Sequence, residues 1–445
     1  MKNNTAEKLS ARTGPVQQPD DVLVIGAGAS GLTAAIAAAR EGARVRVLER
    51  NSRPGRKLLL TGNGRCNMTN MDPVLPSAYH SVRQKAEAAD LPKQVLAVFG
   101  VSDTLRFFEE IGLMTQERDG YVYPRSGQAQ SVLNVLLAEL EKLHVKMKYQ
   151  AEVTGLDYDP DEGLWTVRTD GWAYPARQVI LACGSRAGLA ESEKSRGADA
   201  WELVKHLGHT VTEPWPALTA MHCPDPDLKL CEGARTKAGV TLSDAGSGAV
   251  AGREEGELQW TASEVSGIPV FQLSRFTYGL SVKKPMLLMV DFYPEYSEEF
   301  LKARLMGLFS SCREKESLSR LMEGFVHARL AAFLVKKAGL RDGFRPEKAE
   351  ETAAVFASLL KRLELTVDGV RDFSRAQICL GGVSPEEVSA VTMESRICPG
   401  LYLTGELLDI DGPCGGYNLQ WAFSSGMTAG RAAGKKSREK PKTAE

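Results

Sequence analysis

The chain has 445 residues, 43% hydrophobic and 25% charged, with 55 Lys plus Arg against 56 Asp plus Glu. At roughly 150 residues per domain this allows two or three globular domains with ordinary cores. The charge balance gives no global attraction to nucleic acid or an anionic membrane, and no apolar run reaches the roughly 18 residues of a spanning helix. The first twenty residues are polar and lack the apolar stretch and cleavage site of a secretory leader, so the cytoplasm is the expected location. Eight cysteines without a Cys-x-x-Cys pair argue against a disulfide framework or a zinc knuckle. Residues 1–20 and 435–445 read as disordered tails.

Residues 21–25, Asp-Val-Leu-Val-Ile, read as a buried strand that runs into Gly26-Ala27-Gly28-Ala29-Ser30-Gly31. A helix follows over 32–40, closed by Glu41-Gly42, and a strand resumes over 44–48. This is the strand–turn–helix–strand setting that a dinucleotide fingerprint requires. Gly26 permits the tight turn, Gly28 lets a pyrophosphate approach the backbone, and Gly31 allows close helix–strand packing. The helix N-terminus offers unpaired N–H groups to the phosphates. Glu49, 18 residues after Gly31, ends the second strand, where its carboxylate accepts from ribose hydroxyls and repels a 2′-phosphate. FAD or NAD suits this site and NADP does not.

The next segment carries Arg56-Lys57 and then Thr61-Gly62-Asn63-Gly64-Arg65-Cys66-Asn67-Met68-Thr69-Asn70. Its glycines and cations suit a loop around a phosphate or ring edge, and equally an ordinary surface loop. Strands are expected over 150–158, 164–169 and 179–182, a meander feeding Ala182-Cys183-Gly184, with Gly184 close to a cofactor. Val153 fits either an adenine contact or a core valine.

From about 195 to 349 no cofactor motif recurs. Strands are expected over 217–222, 240–242, 258–261 and 286–292, and amphipathic helices over 297–309, 325–337 and 346–363. This reads as an inserted β-plus-helical domain that selects the substrate, between parts of the dinucleotide-binding domain at 21–194 and 350–434. Gly267-Ile268-Pro269-Val270-Phe271 reads as a turn into a strand. Beyond it, 378–383 reads as a strand and Ser384-Pro385-Glu386-Glu387 as a capping box opening a short helix. His206 and His209 have i, i+3 spacing, but Gly208 ends that helix between them, which disfavours a metal site. Residues 401–404 read as a buried strand ending in Gly405-Glu406, and 418–431 as a small-residue helix entered through Gly415-Gly416. If the dinucleotide is FAD, the N-terminus of that helix faces reduced flavin and stabilises its charge.

The run Gly62 to Asn70 and the C-terminal series Leu403-Thr404-Gly405-Glu406, Asp409-Ile410-Asp411-Gly412 and Gly415-Gly416-Tyr417-Asn418-Leu419-Gln420-Trp421-Ala422 together resemble the BaiN/YhiN-type flavoproteins. The resemblance extends from residue 21 to about 434. It implies an α/β, two-dinucleotide-binding-type (Rossmann-like) FAD domain with an insert, and noncovalent FAD. It places Gly26, Ala27, Gly28, Ala29, Ser30 and Gly31 at the pyrophosphate, Glu49 with Arg50 at the ribose, and Arg56 and Lys57 against the cofactor. Gly64, Arg65, Cys66 and Asn67 would line the flavin side, with Val153, Ala182, Gly184, Gly405, Glu406, Asp411, Gly415, Gly416, Asn418 and Leu419 completing the site. Gly267 to Phe271 also matches an insert segment of one branch.

The family implies two activities: NAD(P)H-driven reduction of a C=C bond conjugated to a 3-oxo group, as in dehydro bile acids, or oxygen-dependent oxidation of a small amine such as aminoacetone. Tyr417, beside the flavin-facing glycines, is the candidate proton donor. A second Gly-x-Gly-x-x-Gly for NAD(P)H is absent, so this donor would visit the flavin transiently. Cys66 and Cys414 lie in flavin-side motifs and are weighed as a redox pair or as small thiols. A flavin-loaded sensor is the rival of another class. An RNA-modifying flavoprotein is disfavoured by the charge balance, unless a basic patch such as 329–345 binds phosphates. The expected partner is a small molecule, with no nucleic acid or membrane.

Overall fold

The computed structural model describes residues 18–72, 74–83, 86–188 and 200–439. The chain divides into two compact units, one running up to Pro214 and resuming at Cys379, the other spanning Trp215–Ile378. The insert thus begins and ends later than the composition change at 195 and 349 suggests. The expected N-terminal tail lies outside the described residues except at its end, where Asp20 is buried against Arg46 and starts the first strand.

The first unit is built on β1 (Asp20–Ile25), followed by α1 (Ala29–Arg40) and β2 (Val45–Leu48). Val22, Leu23 and Val24 are fully buried, as a strand flanked on both faces must be. Next come β3 (Thr69–Asn70), β4 (Thr115–Arg118), β5 (Tyr121–Pro124), β6 (Lys146–Lys148), β7 (Val153–Asp159), β8 (Leu164–Thr169) and β9 (Trp172–Leu181). The main sheet runs β6-β2-β1-β9 in parallel, and β9 continues into the antiparallel meander β9-β8-β7. A small antiparallel sheet, β3-β5-β4, stands apart from it. Its hairpin turns at Asp119 and Gly120, both at positive φ, as a two-residue Asp-Gly loop demands.

The chain leaves through β10 (Val211–Ala217). The second unit carries β11 (Met221–His222), β12 (Arg235–Asp244), β13 (Val250–Trp260), β14 (Glu264–Ser266), β15 (Met286–Asp291), β16 (Leu363–Val367) and β17 (Gly369–Val370). They form one antiparallel sheet, β16-β15-β12-β13-β14-β11-β17. Helices Glu298–Phe309, Ala328–Lys337 and Ala349–Lys361 contribute Leu305, Phe333 and Phe356 to a core shared with Trp260 of the sheet. The strand expected over 217–222 is broken, because Leu218 sits at φ 50°. Gly267 leads not into a strand but into helix Ile268–Ser274, with Pro269 in its first turn, where a missing N–H costs nothing.

The chain returns in β18 (Ile378–Val383) and β19 (Leu401–Leu403), and β19 joins the main sheet parallel to β9. Ser384 does not form a capping box: Pro385–Glu387 is one 3₁₀ turn without a side-chain cap. His209, beyond the end of helix Ala200–His206, bonds through its two ring nitrogens to Glu387 (2.8 Å) and Ser395 (3.0 Å). The last helix, Tyr417–Arg438, is longer than expected and takes in 435–438, which the sequence reads as tail.

This last helix lies directly on α1. A Cβ at Gly426, Gly430 or Gly434 would fall 2.3, 2.2 or 2.9 Å from the carbonyl oxygens of Ser30, Ala34 and Ala38 respectively, so only glycine lets the backbones meet. Both sets of contacts ascend together, which makes the helices parallel. Tyr417 precedes Gly426 by nine residues and Ala29 precedes Ser30 by one, so the C-terminal helix begins about 12 Å beyond the start of α1.

Candidate active site

The fingerprint glycines hold distinct places. A Cβ on Gly26 (φ 105°) would strike Ala182 O at 2.4 Å, and one on Gly31 would strike Gly26 O at 1.9 Å. At Gly28 a Cβ would meet nothing within 4 Å. The first two are therefore needed for the turn and its packing, while Gly28 keeps an open approach to the helix start. Glu49 is buried and braces the turn: one carboxylate oxygen accepts from Ala27 N (2.7 Å), the other from Asn51 N (2.8 Å) and Nδ2 (2.6 Å). Lone pairs remain for a ribose hydroxyl. Ala151 N donates to Glu49 O (2.9 Å), which sets the buried Val153 close by. Arg50 is exposed.

Beyond the turn, Lys57 forms an ion pair with Glu406, and its Nζ also lies 3.2 Å from Ser185 Oγ. Ser185 donates to the same Glu406 oxygen at 2.7 Å. The triangle joins the short helix Arg56–Leu60, the Gly184 turn and the end of β19. Arg56 reaches the carbonyl of Gly188 at 3.4 Å. Gly405 N donates to Ser425 (3.0 Å) and Gly405 O accepts from Trp421 (3.0 Å), fixing that strand end to the C-terminal helix.

The loop after Lys57 turns through four left-handed residues, Gly62, Asn63, Gly64 and Cys66. This conformation carries the Cys66 side chain inward, where it is fully buried and burial pushes its thiol up to about 12. Cys66 thus packs in protein, and no disulfide joins it to Cys414. The Asn67 amide, oriented with nitrogen toward Thr69 O (3.0 Å) and Val122 O (3.2 Å), ties the loop to β3 and β5. Gly64 is open to space, and exposed Arg65 lies over the ring of Tyr123.

The turn before the C-terminal helix is built by side chains remote in sequence. Asn418 accepts from Gly412 N (2.8 Å) and donates to Gly412 O (2.7 Å), so its amide is spent on the turn. Asp411, 2% exposed, holds His80 Nδ1 at 3.0 Å. Asp409 accepts from Ser81 Oγ, Val82 N and Gly381 N, yet burial still raises its carboxyl. Tyr79 donates to Tyr417 O (2.8 Å), and Tyr417 donates its hydroxyl to Asp72 (2.7 Å). Burial, reinforced by that bond, raises the Tyr417 phenol well above its ordinary value, while Asp72 is lowered. In this arrangement the Tyr417 phenol proton is committed to Asp72 and ties the turn to it. Leu419 stands half-buried in the first helical turn.

A flavin dinucleotide fits these features. The two parallel helices begin at Gly28 and Gly416, each without a side-chain cap or an acid in the first turn, so both present unneutralised N–H groups to an anion. A Cβ at Gly28, Gly64 or Gly184 would meet nothing within 4 Å, so at each of these positions the backbone can be closely approached. The 12 Å stagger would let one helix start serve a pyrophosphate and the other a group further along the same dinucleotide. Ser185, Asp72, Tyr79 and His80 escaped the sequence reading. Ser185 follows the singled-out Gly184 directly, but nothing local marks the other three.

A family model described as HI0933-like protein Rossmann domain matches residues 20–432. The chain is 40% identical over 423 residues to the 3-dehydro-bile acid delta(4,6)-reductase of Clostridium scindens, covering 92% of this chain and 98% of that protein. It is 29% identical over 409 residues to the ribosomal RNA dihydrouridine synthase of Escherichia coli K12, covering 91% and 96%. Among solved structures, it is similar to the 3-ketosteroid-delta4-(5alpha)-dehydrogenase of Rhodococcus jostii RHA1, with 17% identity, a TM-score of 0.46 and coverage of 94% and 98%. No helix among the described residues is long and apolar enough to cross a membrane. With that family model matched across nearly its whole length, the chain belongs to the HI0933-like family of Rossmann-fold proteins and is a flavoprotein oxidoreductase.

Proposed function

We propose that this chain reduces a carbon–carbon double bond conjugated to a carbonyl, in a bile-acid- or steroid-like 3-oxo compound, with electrons drawn from NAD(P)H through FAD. The observation that carries this reading is the 40% identity, over nearly the full length of both chains, to a protein named for that chemistry. The other named activity is the same reaction class: dihydrouridine is uridine reduced at C5=C6, a bond conjugated to the C4 carbonyl. The reaction type is thus common to both relatives, and the substrate separates them.

When bound, FAD supplies a two-electron carrier that delivers hydride to the β-carbon of such an enone. The N–H groups at the start of α1 take the pyrophosphate, and Glu49 takes the adenosine ribose. Lys57, held by Glu406 and Ser185, offers a cation to the same phosphates. The N-terminus of helix Tyr417–Arg438 would offer its partial positive charge to negative charge that develops on reduction. The α-carbon needs a proton, and His80, oriented by buried Asp411, is the residue this reading assigns to it.

RNA is the second reading, favoured by the two rRNA-modifying relatives and opposed by a net charge of −1. The deciding experiment is the visible spectrum of the FAD-loaded protein during anaerobic addition of NADH, then NADPH, followed by a 3-oxo-4,6-diene bile acid or an unmodified rRNA transcript. Bleaching by nucleotide and recovery of the yellow band on the diene is the expected result. Recovery on RNA alone overturns the substrate. A spectrum that neither nucleotide bleaches overturns the electron source and directs the search to oxidation of small amines.

A further inference from the structure

The β4–β5 hairpin sets Gln116 opposite Tyr123 and Arg118 opposite Tyr121. Strand alternation puts these four side chains on one face. Arg65 leans over that face, its guanidinium carbon 5.7 Å from the centre of the Tyr123 ring. A cavity of about 300 Å³ opens here, lined by Arg65, Gln116, Glu117, Arg118, Tyr123 and Gly127.

The lining selects a class of ligand. The tyrosine offers a ring on which a base can stack. Arg65 makes a long bond to Gly62 O (3.3 Å), and the side chain of Arg118 is 82% exposed and 3.7 Å from that of its neighbour Asp119, so both guanidinium groups keep donors for phosphate. Glu117, opposite Val122 in the ladder, accepts the Gly120 N–H (2.6 Å) and braces the turn. An aromatic ring beside two phosphate-binding guanidinium groups describes a nucleotide site.

The face is also continuous with the turn before the C-terminal helix. Asn70 pairs with Tyr121 in the β3–β5 ladder and donates to Gly415 O at 3.0 Å. A Cβ on Gly415 would lie 2.7 Å from the Tyr121 ring. The sequence holds a single Gly-x-Gly-x-x-Gly, at 26–31, so a second dinucleotide has no fingerprint of its own. We propose that this tyrosine–arginine face is the docking site of the pyridine dinucleotide electron donor, with a base on Tyr123 and the phosphates between Arg65 and Arg118. The proposal rests on the reading that NAD(P)H drives the enzyme.

The test titrates the FAD-loaded protein with NAD⁺ and NADP⁺, which bind without reducing it, and follows the flavin difference spectrum and binding heat. Saturable binding of at least one is expected, weakened about tenfold or more in both Arg118→Gln and Tyr123→Leu, because base–aromatic stacking and charge-assisted phosphate contacts are each of about that size. Flavin content and unfolding midpoint report that each variant is folded, and the exposed Arg118 keeps the test decisive should Tyr123→Leu fail to fold. Unchanged affinity in folded Arg118→Gln, or no binding of either dinucleotide to the wild type, overturns the proposal. So does salt-sensitive binding of a uridine-rich RNA oligonucleotide that Arg118→Gln abolishes while neither dinucleotide binds. Enone consumption by the dithionite-reduced wild type needs no nucleotide, so its failure refutes the substrate reading alone.

Discussion

Alanine at Gly426 would place a methyl carbon 2.3 Å from Ser30 O and 2.5 Å from Thr33 Oγ1, where ordinary contact begins at 3.4 Å. The two helices must therefore part by about 1 Å along a seam that is otherwise backbone against backbone. Overpacking of this kind costs about 1–3 kcal/mol, and the better helix propensity of alanine returns up to about 1 kcal/mol. A net loss of about 1–2 kcal/mol corresponds to a fall of roughly 2–8 °C in unfolding midpoint for a unit of this size. The same displacement moves the first turn of α1, so flavin retention should fall with it. Gly28→Ala is the matched control: its φ of −86° suits alanine and its Cβ meets no protein atom. Its stability should drop by no more than about 1 kcal/mol, the cost of alanine at an N-cap, while its added methyl obstructs the pyrophosphate approach. Thermal unfolding of the flavin-free proteins, with the 450 nm to 280 nm absorbance ratio after gel filtration with FAD, separates the two effects. Gly426→Ala melting with the wild type, or Gly28→Ala retaining flavin normally, would refute the reasoning.

Tyr417→Phe removes the phenol but not the ring, and turnover should change by less than about threefold because that proton is committed to Asp72; a loss of a hundredfold or more would restore the tyrosine as the acid. His80→Gln should lower turnover about a hundredfold, as removal of a general acid does, with flavin content unchanged; a variant as active as the wild type excludes it. Burial raises Cys66, Cys223 and Cys231 to about 12 and Cys379 to about 11. Below pH 9 these thiols are protonated in both folded and unfolded chains and stability is at its full value. Above pH 9 the unfolded chain ionises first, so stability should decline steadily toward pH 11–12. Unfolding midpoints measured from pH 8 to 10.5 check this, and a flat series would contradict it.

The fingerprint turn was legible because its requirements are local: Gly26 and Gly31 answer contacts made within one strand–helix unit and its neighbouring strand. Gly415 and Gly416 were legible only through the resemblance, because the contacts that require them are with Tyr121 and Thr69, far away in sequence. Lys57 and Glu406 are 349 residues apart and His80 and Asp411 are 331 apart, so no periodicity relates either pair. The alternation of Leu363 to Val367 marks a strand but not its sheet; pairing with β15 assigns it to the insert and moves the boundary. Two signals were present and unread: Asp119-Gly120, which turns the β4–β5 hairpin, and Pro269 after Gly267, which favours a helix start over a strand.

The parallel seam of α1 with helix Tyr417–Arg438 also sets a schedule for synthesis. When the ribosome has made Pro214, the main sheet still lacks β19 and α1 still lacks the helix that covers it. The next 225 residues take about ten to forty-five seconds at common elongation rates, and through that interval Ser30, Ala34 and Ala38 present bare backbone to solvent. The contiguous insert emerges complete within the same interval. With the cofactor held as proposed, flavin capture is a late event: a nascent protein stalled anywhere before the last twenty residues of the helix should be colourless, however well its first two hundred residues have folded.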